Sequence, residues 1–154
     1  MRRAAILFGA LASASCGGAG GPAPRPLATS VSAERPLAEL PQQDLQQGQC
    51  GMALWQRTEP ARRIAFVLDE PATIRIVDGG KVIVLARTAS EGDPIVRHAP
   101  VQRFAGAEHS VAIDVRMEQR EGLLAGAIIP EGTLTLQSAR GSVVLPVFGL
   151  IGCR

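Results

Sequence analysis

The sequence predicts an all-β fold: a single antiparallel β-sandwich or small barrel of eight or nine strands, with the first and last strands linked by a disulfide. Three observations carry that expectation. After residue 50, short apolar runs follow one another at even spacing, each ended by Gly, Pro or Asp. Ser110 to Glu118 alternates strictly, with Val111, Ile113, Val115 and Met117 on one face and Ala112, Asp114, Arg116 and Glu118 on the other. That is the period of a half-buried strand; a helix would scatter these residues around its circumference. Cys50 and Cys153 bracket the whole patterned region.

The strands follow in order. Cys50 to Thr58 is the first and is turned by Glu59-Pro60; Arg63 to Leu68 is the second, stopped by Asp69-Glu70-Pro71. Thr73 to Val77 and Lys81 to Arg87 flank Asp78-Gly79-Gly80, and Asp-Gly between apolar runs is a strong hairpin signal. A longer polar connection, Thr88 to Pro94, leads into Ile95 to Phe104. Pro100 demotes this run to an edge or bulged strand. Ser110 to Glu118 is next, then Leu123 to Ile129, ended by Pro130-Glu131-Gly132. Thr133 to Gln137 and Ser142 to Cys153 complete the set, joined through Arg140-Gly141. No strand–helix–strand pattern occurs, so a sandwich or barrel is the expected architecture. Pairing Cys50 with Cys153 closes a long loop and by chain entropy stabilises by roughly 4 to 5 kcal/mol. The β domain, residues 50–154, holds only Trp55, Phe66, Phe104 and Phe148 as aromatics, so aliphatic side chains must fill its core.

The N-terminus reads as an address. Residues 1–16 run from Met1-Arg2-Arg3 through a short apolar stretch to Ser13-Ala14-Ser15-Cys16, the form of a secretory signal, too short to span a bilayer permanently. Two processing routes fit. Ala12-Ser13-Ala14 is a site for ordinary signal peptidase. Ser13-Ala14-Ser15-Cys16 resembles a bacterial lipobox, and the resemblance implies lipidation of Cys16, a membrane contact through a lipid anchor alone, and a place in the periplasm or at the outer membrane. Cysteine arithmetic agrees with this second route, because it leaves Cys50 and Cys153 as an even pair. Residues 17–36, rich in Gly, Pro and Ala, read as a flexible tether. Residues 37–49 read as a polar arm.

The formal net charge of +2 is set by the leader and tether, which carry Arg2, Arg3, Arg25 and Arg35 against Glu34. The rest is close to neutral, which leaves no basic excess for nucleic acid. His98 and His109 show no metal-ligand spacing and read as surface or loop histidines, so neither a metal nor a cofactor is expected. A triad of Ser110, His109 and an acid such as Asp114 would need convergence in space that nothing in the sequence requests. Asp69 with Glu70 reads as a solvated turn pair. The lack of Tyr argues against a stacking surface for sugars or single strands. Trp55, Arg97 and Arg103 are the candidate partner contacts. The expected function is a non-catalytic, exported envelope protein whose β domain binds an envelope partner. The alternative is a small exported inhibitor of a hydrolase, with Thr88 to Pro94 as its inserting loop.

Overall fold

The computed structural model describes residues 37–123 and 125–154; the signal segment, Cys16 and the tether lie outside the described residues. Eight strands form: β1 Cys50–Gln56, β2 Arg62–Leu68, β3 Thr73–Asp78, β4 Lys81–Glu91, β5 Val101–Ala105, β6 His109–Glu118, β7 Gly126–Ser138 and β8 Gly141–Cys153. They pair antiparallel in chain order, and β8 returns to β1, so the sheet closes into a barrel. Of the two architectures the sequence allows, the molecule takes the barrel.

The count is eight rather than nine because the runs on either side of Pro130 are one strand. A register shift between Ile129 and Gly132 absorbs the turn-like Pro130-Glu131-Gly132 as a bulge in β7, the kind of place where a strand tolerates proline. Gly132 is required there: a Cβ on it would stand 2.5 Å from the Val115 side chain and 2.7 Å from the Asp114 carbonyl oxygen. The weak run Ile95 to Phe104 yields only β5, which starts after Pro100.

Alternation fixes which side chains fill the barrel. Met52 and Leu54, Ile74 and Ile76, Ile113 and Leu134 are fully buried in one continuous cluster. An eight-stranded barrel has an interior just wide enough for side chains to fill. A bulge in the β1–β2 ladder at Leu54/Trp55 allows both Ile64 and Ala65 to join that cluster. The wall is apolar within and carries charge outside on β5 to β7, where Arg103, Asp114, Arg116 and Glu131 are exposed. An outer-membrane barrel has the opposite polarity.

The arm, residues 37–49, lies against the barrel without regular structure. Leu37 is buried in the interior cluster beside Leu136 and Val143, at the lower mouth. Leu40 and Leu45 pack outside β1 to β3 over Ala53, Phe66, Leu68 and Val77. Backbone bonds pin the arm: the Leu40 N–H donates to Arg63 O at 2.7 Å, and the Gly48 N–H donates to Arg154 O at 2.7 Å. The Arg75 guanidinium adds a bond to Gln43 Oε1 at 2.7 Å. Leu40 is fully excluded from solvent, so the arm supplies core to an outer face that would otherwise be apolar and bare.

Candidate functional site

Three places hold unusual chemistry: the two mouths of the barrel and one stripe of its outer wall.

At the upper mouth, Cys50 and Cys153 stand opposite each other in the β1–β8 ladder and are joined by a disulfide. First and last strands are thus locked together as the sequence suggests. The Asp69 carboxylate lies beside them with its side chain 6% exposed. One oxygen accepts the Cys50 N–H at 2.9 Å, and the other accepts Arg97 Nη1 at 3.0 Å. Burial pushes the Asp69 pKa up, but the Cys50 amide and the Arg97 guanidinium outweigh it and hold the carboxyl below its usual range. The expected solvated turn residue is therefore a buried anchor.

The segment after β4 crosses this mouth. Ile95 and His98 exchange both backbone bonds, at 2.9 and 3.1 Å. The two residues between them, Val96 and Arg97, have φ of 48° and 65°. Both lie in the left-handed region that such turns normally reserve for Asn and Gly; holding a non-glycine residue there costs about 1 to 3 kcal/mol. The turn drives His98 inward. Its exposure is 0%, and neither ring nitrogen has a hydrogen-bond partner. Burial pushes its pKa down to about 4; Arg87 adds to the depression, while Asp69 and the Cys50 backbone oppose it. His98 is therefore not a surface or loop-tip histidine. Gln102, equally buried, donates to Ala99 O at 3.0 Å and accepts from Arg87 at 3.4 Å.

The lower mouth has the other histidine. The Asp78-Gly79-Gly80 hairpin forms as expected, with both glycines at positive φ. Asp78 does more than turn the chain. Its side chain is 4% exposed and accepts His109 Nε2 at 3.1 Å and the Arg140 guanidinium at 2.5 Å. Burial raises the Asp78 pKa, and bonds from Arg140 and His109 lower it further than burial lifts it. The acid that meets His109 is thus Asp78, not Asp114, which is exposed on the outer wall of β6. Neither nearby hydroxyl is bonded to the imidazole: Ser110 Oγ donates to Gln137 at 3.3 Å, and Ser138 Oγ accepts the Arg140 N–H at 3.3 Å. The pair links the β3–β4 hairpin to β6, and through Arg140 to the β7–β8 turn.

The third place is the outer face of β8. Val144 and Leu150 are 40% and 49% exposed, and Pro146 between them is also exposed. Phe148, half-buried, stacks on Trp55 of β1 with ring centroids 6.2 Å apart. Arg57 stands over the Phe148 ring at 5.7 Å and donates to Pro130 O. The other edge of the stripe is Ile128 of β7, opposite Leu150 in the ladder. The strand is thus apolar on both faces, inward through Leu145, Val147 and Ile151.

The three expected partner contacts do not converge. Trp55 lies on this stripe, Arg97 at the upper mouth, and Arg103 on β5, four strands around the barrel from β1. Among the described residues, no cluster of three His, Cys, Asp or Glu side chains is placed to hold a metal ion. Comparison of the chain with family models, with curated proteins and with solved structures finds no match.

Proposed function

We propose that the chain is a non-catalytic, exported envelope protein whose barrel binds a protein partner through the outer face of β8 and β1. The observation that carries this reading is the bare apolar stripe from Val144 to Leu150, edged by Trp55. The arm covers the apolar outer face of β1 to β3; Val82 and Val84 of β4 are also exposed, but they lack the aromatic pair and the Arg that accompany the β8 stripe. A stripe with a stacked aromatic pair and an Arg at its edge has the composition of an interface centre. The lipid anchor at Cys16 belongs to the same proposal and holds the barrel near a membrane of the periplasm or at the outer membrane.

The test places a photo-crosslinking residue at Leu150 and, as a control, at Gln137 on the polar wall. One discrete protein adduct from Leu150 and none from Gln137 supports the reading. Equal or absent adducts, or turnover of a small substrate by the purified barrel, sinks it. The mass of the mature protein checks the anchor separately, since a lipidated Cys16 adds acyl mass.

A second reading has one observation in its favour. Thr88 to Pro94 is exposed throughout, but it is not one loop as expected: Thr88 to Glu91 is the end of β4, paired with β5, and only Gly92 to Pro94 forms the exposed tip that leads to the buried His98 and Ala99. An exposed tip held by a paired strand end suits an exported hydrolase inhibitor. Inhibition assays against lysozymes and proteases, with the tip intact and with Gly92 to Pro94 replaced, separate the two readings.

A further inference from the structure

We propose that Gly92 to Pro100 is an acid-released cap, closed over the upper mouth while His98 is neutral and opened when His98 takes up a proton. This is independent of the outer stripe and rests on the geometry of the mouth.

Four features build the cap. Its plug is an imidazole wholly removed from solvent with both nitrogens unbonded. A cation there would be only partly offset by Asp69 and the Cys50 backbone, a costly state for a buried group. The turn that delivers the plug is bent at two non-glycine residues, Val96 and Arg97, so opening relaxes the backbone. One edge of the cap is held by a single side chain: Arg97, on Asp69 and on the Gly48 carbonyl, each at 3.0 Å. Its far end is stitched by the Val115 N–H donating to Pro100 O at 3.0 Å, which leaves a hinge on that side.

The charged groups that bear on His98 come from several elements. Asp69, in the β2–β3 turn, favours its protonation; Arg87 of β4 disfavours it. Gln102 of β5 is neutral and already committed to Ala99 and Arg87. The Cys50 backbone of β1 favours the proton but does not reverse the effect of burial. Asp69 stays ionised well into acid, because its own pKa is held below the ordinary 3.8. The charge of Asp69 therefore persists across the range in which His98 changes charge, so the Arg97 latch is released by the histidine and not by loss of its acceptor.

Opening widens access to the disulfide, whose Cys50 is 3% exposed and whose Cys153 is half-buried in the closed form. That gives a readout. Reduction of the Cys50–Cys153 disulfide by a water-soluble phosphine is timed against oxidised glutathione in the same buffers. With a closed-state pKa of about 4 and an open-state value of 6.5, the relative rate rises about 100-fold between about pH 7.5 and pH 4. In His98→Gln the rise is less than about threefold. A wild type and variant with the same pH dependence overturns the proposal. Should the variant not fold, the wild-type His98 ring resonance decides. A midpoint near 4 with exchange broadening over residues 95 to 99 supports the cap, and a midpoint near 6.5 overturns it. Trp55 fluorescence is followed in parallel: a constant signal marks local opening, and loss of the signal in step with reduction marks global unfolding and also overturns it.

Discussion

Each mouth of the barrel holds one histidine, and the two are treated in opposite ways. His109 at the lower mouth is bonded to a buried carboxylate that also accepts Arg140. The His98 ring at the upper mouth has neither nitrogen bonded and is the more deeply buried. The lower mouth is closed by the arm's Leu37, an apolar stopper. The upper is closed by a polar ring held on a bent turn. Asp78, lifted by burial but held below its usual range by Arg140 and His109, keeps its charge in moderate acid, and the apolar plug beside it carries none. A bare imidazole makes a closure that weakens as protons become available. The same residue type thus marks a fixed end and a releasable end.

Four measurements separate the two mouths. The largest effect belongs to the covalent lock at the upper mouth. Replacing both Cys50 and Cys153 with Ala lowers unfolding free energy by about 4 kcal/mol in denaturant titrations. Next comes acid. His98 has a folded pKa below its unfolded 6.5, so its contribution is fully present above that pH and is lost as pH falls toward about 4. The loss is about 3 kcal/mol, and His98→Gln flattens the stability profile across that window. Asp78, also depressed, holds its contribution through the same window and loses it only on descent below the ordinary carboxylate value of 3.8. Third, Asp78→Ala leaves His109 and Arg140 without their shared acceptor and costs about 2 kcal/mol by thermal unfolding. The smallest effect is a gain. Val96→Asn suits the left-handed turn and stabilises the cap by about 0.5 kcal/mol net of lost packing, read as slower amide exchange at residues 95 to 99.

What the sequence made legible was local. The alternation in Ser110 to Glu118 forecast β6 and its inward face, because strand period is written in adjacent residues. Asp78-Gly79-Gly80 forecast its hairpin for the same reason. The cysteines forecast the link between the first and last strands by their positions at the two ends of the pattern, while leaving sandwich and barrel both open. What escaped depends on the chain returning over itself. Nothing near His98 marks it as buried; the mouth that buries it is assembled from β1, β4, β5 and the β2–β3 turn. Asp69 and Asp78 sit in turn sequences, and their turn chemistry masked the partners that arrive from residues 97, 109 and 140. Leu37, Leu40 and Leu45 have no period, since an irregular arm needs none to pack on a face prepared by other strands. The stripe on β8 was in the sequence as Val144, Pro146, Phe148 and Leu150, but its exposure appears only once the arm is seen to cover the other side.

The order of strands has a kinetic consequence. Seven of the eight ladders join strands adjacent in the chain, and only β1 with β8 spans its length. Hairpins can therefore zip in series from any starting point, whereas the seam waits for both ends to exist and to meet. Cys50 and Cys153 face each other on that seam, with 103 residues of separation. In a chain that folds with its thiols reduced, the pairing that follows is a timestamp for closure, because the same step that draws the circle shut brings the two sulfurs together.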